Sequence, residues 1–383
     1  MHPRLRPLRF VFIASLFVAA SIAAQPARWS AKKTQKWYAH QPWLVGANYT
    51  PATAINQLEM WQADTFDPKR IDLEFGWAEQ IGMNTMRVFL HDLLWQQDPA
   101  GFRSRIDEFL RIAARHKIRP MFVLFDSCWD PHPRLGKQRD PKPGVHNSGW
   151  VQSPGADALA DPAQQPRLEA YVKGVVGAFR KDKRILAWDL WNEPENGNDS
   201  SYADAEAARR AATVLSLLGK TFAWARAAHP KQPLTTGVWQ GEWWPQDKWT
   251  AMTRLQLEQS DVISFHSYDD AAEFERKIQS LEKLSRPVVC TEYMARGNNS
   301  TFQGSLPVAK EHRVAAINWG LVAGKTQTWL PWDSWKQPYV DGREPAVWFH
   351  EVFYGDGRPY KQDEVDLIRN LTGRGSRSAS AGK

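Results

Sequence analysis

Short apolar runs alternate with helical patterns along most of this chain. The runs that read as strands are residues 44–49, 85–90, 120–125, 186–191, 234–238, 262–266, 287–291 and 326–330. They are rich in β-branched and aromatic side chains, and several lack polar alternation, as strands buried on both faces do. Helical patterns lie between most of them. Asp67-Pro68 reads as an N-cap followed by a proline in the first turn. Ile106, Phe109, Leu110 and Ala113 form an apolar stripe at helical spacing. Residues 201–228, 271–284, 308–322 and 364–371 also read as helices. Repeated βα units of this number predict an α/β fold of the (β/α)₈ TIM-barrel type, as one domain over residues 25–372. No glycine fingerprint for a dinucleotide follows an early strand, which argues against a doubly wound sheet.

Residues 126–165 interrupt the repeat. They hold many prolines and glycines and little periodicity, and they follow the third strand. A loop of this length in a compact domain is usually functional. It is expected to lie over the active face and to include Trp129 and Trp150.

The two ends stand apart from the domain. Arg4, Arg6 and Arg9 precede an apolar run from Phe10 to Ala20, and small residues follow at Ser21, Ala23 and Ala24. This is the pattern of a signal peptide over residues 1–24, too short for a typical spanning helix. The expected location is therefore the periplasm or the medium, with no stable membrane span after cleavage. Residues 373–383 read as a disordered Gly/Ser/Ala tail. Export changes the charge picture, because losing those three arginines takes the net charge from +7 to +4. No basic patch calls for a nucleic-acid partner. The two cysteines, Cys128 and Cys290, fall at two different strand ends. An exported protein permits a disulfide, but a pair of buried thiols is the favoured reading. No spacing predicts a metal site or a cofactor, and the oligomeric state is left open.

The chemistry concentrates at strand ends, where barrel enzymes carry their reactive groups. Trp191-Asn192-Glu193-Pro194 closes the fourth strand, and Val288-Val289-Cys290-Thr291-Glu292 closes the seventh. A carboxyl at the end of a buried strand is costly unless partnered or near solvent. Two of them on one barrel are what two-carboxylate glycoside hydrolysis requires.

With these two motifs the chain resembles the clan A glycoside hydrolases, and most closely the family 5 cellulase-like enzymes, over roughly residues 40–350. The resemblance implies Glu193 as general acid/base and Glu292 as nucleophile, with Asn192 holding a substrate hydroxyl. It also implies that Arg87 supports the nucleophile, that His266 and Tyr268 end strand six with Tyr268 bonded to Glu292, and that Trp332, with Trp329 as its rival, floors the sugar site. Asp126 and Trp129 occupy the end of strand three, where many family members carry a histidine. The expected function is retaining hydrolysis of a β-linked oligo- or polysaccharide of glucan, mannan or xylan type. Alternatives are a transglycosylase using the same residues and a carbohydrate-binding barrel without turnover. Among the 20 tryptophans, Trp239 opens a cluster with Trp243, Trp244 and Trp249 after strand five and is a candidate subsite ring. Glu242, inside that cluster, is at most a substrate contact. The segments 137–140 and 145–150 have no counterpart in the general family pattern. They are expected to close one end of the groove, which would favour exo-action on short chains.

Overall fold

A computed structural model describes residues 27–198, 201–202 and 207–374. The proposed signal peptide and most of the expected tail lie outside the described residues. Eight strands form one parallel sheet: β1 (Val45–Asn48), β2 (Thr85–Phe89), β3 (Arg119–Asp126), β4 (Ala187–Asn192), β5 (Leu234–Thr235), β6 (Ile263–His266), β7 (Val288–Glu292) and β8 (Ala315–Asn318). Their order is β5-β4-β3-β2-β1-β8-β7-β6. A parallel bridge between Val238 and Phe265 joins the two edges, so the sheet curls into a nearly closed (β/α)₈ barrel.

Seven of the eight expected strands pair as predicted. The eighth does not. The residues read as strand, 326–330, lie in the loop after β8, and Gln327 has φ +53 there. The strand comes instead from residues read as the end of a helix. The helix Phe302–Glu311 stops early, and Arg313 at φ +54 turns the chain into β8. Alanine-rich Val314-Ala315-Ala316 has helical propensity. Pairing decides otherwise: Ala315 faces Val289 of β7 and Ala316 faces Val45 of β1.

The helical predictions otherwise match. Asp67 caps the helix Pro68–Gln80 by accepting from the Arg70 N–H at 3.0 Å. The stripe Ile106, Phe109, Leu110, Ala113 is fully buried on the helix Pro99–Arg115. These helices and the outer strand faces enclose the main core. A second, smaller cluster of Leu44, Met121, Leu186, Val262, Val289 and Ile317 fills the lower barrel, with Tyr38 of the helix Ala31–Ala39 packed against it. No helix among the described residues is long and apolar enough to cross a membrane.

The long segment after β3 is not loose. Residues 145–155 are buried except Gly155's neighbours further on, and the segment is bonded to the loop after β8. Asn147 N–H donates to the Thr326 carbonyl at 2.8 Å, His146 N–H to Ser334 Oγ at 2.9 Å, and Tyr339 N–H to the Gly144 carbonyl at 2.9 Å. In the sheet, β2 and β1 separate β3 from β8. A link between the β3 and β8 loops therefore forms a strap over the ends of β2 and β1. Cys128 and Cys290 are both buried and unpaired.

Candidate active site

The parallel ladder puts the polar strand ends in one layer. Asn48 pairs in register with Arg87, Asp126 with Asn192, and His266 with Glu292. A register shift between Phe265 and His266 re-aims the end of β6 toward Glu292. Glu193 follows β4 with φ +42. That left-handed conformation costs a side-chain-bearing residue about 1–3 kcal/mol, and such strain tends to persist where the surroundings hold a functional group in place.

Arg87 is the hub beneath this layer and is fully buried. Its guanidinium donates to Glu292 Oε1 at 2.7 Å, Asp189 Oδ2 at 2.9 Å, Asn48 Oδ1 at 3.0 Å and Asn192 Oδ1 at 2.8 Å. Tyr268 donates its hydroxyl to Glu292 Oε2 at 2.7 Å, and burial keeps that phenol protonated. Glu193 has different neighbours. Oε1 lies 2.9 Å from His266 Nδ1, while Oε2 accepts from Asn196 Nδ2 at 2.6 Å and from Cys128 Sγ at 3.3 Å. Burial depresses the His266 pKa to about 4, so its ring is neutral near pH 7.

Burial raises both carboxyls above the ordinary range. They differ in what opposes it. Glu292 has an arginine and a phenol donating to it, whereas Glu193 has no cation in contact among the described residues. Of the coupled pair, Glu292 is the better host for charge and Glu193 for the proton. One oxygen of each carboxylate and one His266 nitrogen lie within 4.8 Å of one another. Among the described residues this is the group whose spacing would admit a metal ion. Arg87 already supplies the positive charge on Glu292, so the donor pattern is that of a carboxyl pair.

Above the layer is a cleft lined by aromatic rings and these polar groups. Asn192, Glu193, Tyr268, Glu292, Trp129, Trp239 and Trp332 all reach it. Arg87, His266 and Asp126 lie in the layer below rather than on the wall. Asp126 accepts from Trp150 Nε1 at 2.6 Å and Asn192 Nδ2 at 2.9 Å, and burial raises its pKa to about 6. Trp329 is a correction. It packs on Trp348 at 5.8 Å and does not line the cleft. Trp332 lines it but sits in a short turn of helix after β8, edge-on to Tyr268. The ring that directly follows β8 is Trp319, which sequence reasoning missed because it misplaced that strand. His146 and Trp150, from the segment expected to close the groove, also line the wall, whereas Cys128, Asn196, Asn198 and His350 were missed. His350 has a readable polarity: Nδ1 lies 2.6 Å from the Met294 carbonyl and so carries the hydrogen, leaving Nε2 a buried acceptor with no partner. Glu242 is exposed and not on the wall.

Comparison with known proteins adds to this geometry. The family model for cellulase, glycosyl hydrolase family 5, matches residues 78–338. No curated protein matches the chain. Solved structures do. An exo-β-1,4-mannosidase from Opitutaceae bacterium strain TAV5 is similar at 18% identity and TM-score 0.56, over 87% of this chain and 60% of that one. The chain thus spans well under two thirds of that mannosidase. An endo-β-1,4-mannanase from Thermotoga petrophila is similar at 13% identity and TM-score 0.55, over 89% of this chain and 78% of that one. A family 5 mannosidase from Rhizomucor miehei is similar at 15% identity and TM-score 0.51, over 88% and 94% of the two chains. At these identities the likeness is one of fold.

Proposed function

The chain belongs to glycosyl hydrolase family 5, and from that premise we propose that it is a retaining β-glycosidase removing single sugars from the non-reducing end of β-linked oligosaccharides. The observation that carries this reading is the carboxyl pair, close together and unequally supported, beneath a cleft barred on one side by the strap. Retaining enzymes keep their carboxyls about 5–5.5 Å apart and inverting ones about 6.5–9.5 Å. Oxygens within 4.8 Å fit the shorter class.

Glu292, held ionised by Arg87 and Tyr268, attacks the anomeric carbon. Glu193 gives its proton to the glycosidic oxygen as that bond breaks, and the aglycone leaves. In the second step Glu193 takes a proton from water, whose oxygen attacks the same carbon and releases Glu292. Arg87 touches Glu292 and Asn192 and positions both. The aromatic walls suit the CH faces of a sugar, and His350 Nε2 suits a sugar hydroxyl.

The leaving group lies on the side of its acid, Glu193, where Asn196, Asn198 and Trp239 flank the cleft. The strap crosses the ends of β1 and β2 and brings His146 and Trp150 to the cleft wall, and on this reading it closes the groove past the reacting sugar. That supports exo-action. The mannosidase and mannanase neighbours make β-mannosides the first substrates to try. On this reading residues 1–24 direct export, and substrate is met in the periplasm or the medium. The test is product chromatography on β-1,4-linked mannose, glucose and xylose oligosaccharides labelled at the reducing end. The expected early products are one unlabelled monosaccharide and a labelled chain one unit shorter. Early labelled fragments of mixed length would overturn exo-action.

A further inference from the structure

Cys128 lies between two asparagine amides and Glu193, and counting hydrogens fixes the direction of every bond there. Asn192 Oδ1 accepts from Arg87 at 2.8 Å, so its amide nitrogen is the end that faces Asp126 Oδ1 at 2.9 Å and Cys128 Sγ at 3.4 Å. Asn196 Oδ1 accepts from the Asn198 N–H at 2.8 Å, so its amide nitrogen faces Glu193 Oε2 at 2.6 Å and Cys128 Sγ at 3.4 Å. Each amide has two hydrogens and each is used. The sulfur therefore receives two N–H groups. Among the described residues its one hydrogen has a single acceptor within reach, Glu193 Oε2 at 3.3 Å. Burial raises the thiol pKa and keeps that hydrogen in place.

We propose that Cys128 is a positioning residue for the acid/base: with Asn196 it saturates Oε2 of Glu193 and leaves Oε1 as the oxygen that carries the transferable proton. The proposal rests on the reading of Glu193 given above. A proton on Oε2 would point into two donors, so the neutral acid holds it on Oε1, where the neutral His266 ring accepts at Nδ1 with its own hydrogen on Nε2. After the first step both donors stabilise the carboxylate that must then accept a proton from water. A thiol is a weak donor, so this support is graded. It assists the base without pinning the acid in its ionised form. His266 and Glu292 also face Glu193 closely, with Arg87, Asp126, Tyr268 and Glu195 further out, and substituting Cys128 changes none of these side chains.

The experiment compares pH profiles of wild type, Cys128→Ala and Cys128→Ser on an aryl β-glycoside the enzyme turns over. Losing a donor to the carboxylate makes ionisation harder. In Cys128→Ala the basic limb of kcat/KM should therefore move to higher pH while the acidic limb stays. With a leaving group good enough that the second step limits, kcat should fall roughly 3- to 10-fold, as expected for one modest hydrogen bond, while kcat/KM on its plateau changes little. Cys128→Ser, which keeps a donor, should hold the basic limb at or below its wild-type position. A basic limb unmoved in a folded Cys128→Ala, or one raised in Cys128→Ser, would overturn the proposal. If the alanine variant does not fold, the serine variant alone decides. Azide added to Glu193→Ala separates this from the assignment beneath it. If azide fails to restore turnover there, Glu193 is not the acid/base; if azide restores it and the limb stays put, only the role of Cys128 falls.

Discussion

Along β2 and at the ends of β4, β6 and β7, the parallel ladder itself sets the level of Arg87, Asn192, His266 and Glu292. Across the strap, residues 144–152 are held by bonds to distant segments. Gln57 Nε2 donates to the Val151 carbonyl at 2.8 Å, Asn56 Nδ2 to the Gly149 carbonyl at 2.9 Å, and the Thr326 carbonyl receives the Asn147 N–H. The first region is built by repetition and the second by individual contacts. Chemistry sits on the repeated frame, and on our proposal the choice of substrate falls to the strap. This division is a physical form of the rule that loops vary while the scaffold positions.

The largest effects should come from the frame. Glu292→Ala should lower kcat by roughly 10⁴-fold or more, by analogy with losing a nucleophile that acts within a unit. Glu193→Ala should lose roughly 10²- to 10⁴-fold on substrates that need acid assistance, and less on nitrophenyl glycosides, whose leaving group needs little proton. Full activity in either variant would break the assignment. Arg87→Met comes next. It would leave Asp189 and Glu292 buried without their cation, and stability should fall by about 3–5 kcal/mol, read from urea unfolding. The same change should move the acidic limb of the pH–rate profile upward, because Glu292 would hold its proton more tightly. A stable variant with an unmoved acidic limb would mean that Arg87 supports neither the charge nor the fold.

The segment after β8, to which the strap is bonded, should show smaller, pH-dependent effects. Glu351 lies behind Trp319, where Gly320 has φ +78 and a Cβ would meet the Glu351 carboxyl at 2.7 Å. Thr328 donates to one carboxyl oxygen, and the other is buried with no partner among the described residues. Burial raises its pKa from 4.5 to about 8. Between those values the folded chain keeps a proton that the unfolded chain has released. The stability from this group is therefore full below the unfolded value and is lost as pH rises through the folded one, at up to about 1.4 kcal/mol per pH unit. Buried Asp126 and half-buried Glu195, raised to about 6 and about 7, act in the same direction. Thermal unfolding of Glu351→Gln should fall off less than wild type between about pH 5 and 8. Parallel curves would show that Glu351 is ionised throughout.

The same division explains what could be read from the sequence. Asn192-Glu193 and Thr291-Glu292 were legible because a buried apolar run ending in a carboxylate is a local pattern. Arg87 and Tyr268 carry no such local pattern and were legible only through the family resemblance. Strand eight was not, because Ala315-Ala316 prefers a helix locally and pairing with β7 and β1 overrides it. That error hid Trp319 and promoted Trp329. Cys128, His146 and His350 reach the cleft through tertiary contacts, with no periodicity to announce them. Their positions depend on bonds between residues far apart in the chain, and a single sequence carries no local trace of those.

The central claim is that Glu193 and Glu292 act as a retaining pair. Proton NMR of the first anomer released from an aryl β-glycoside tests it most directly. The account predicts a β-configured sugar appearing first and mutarotating afterwards. An α-configured sugar appearing first would contradict it.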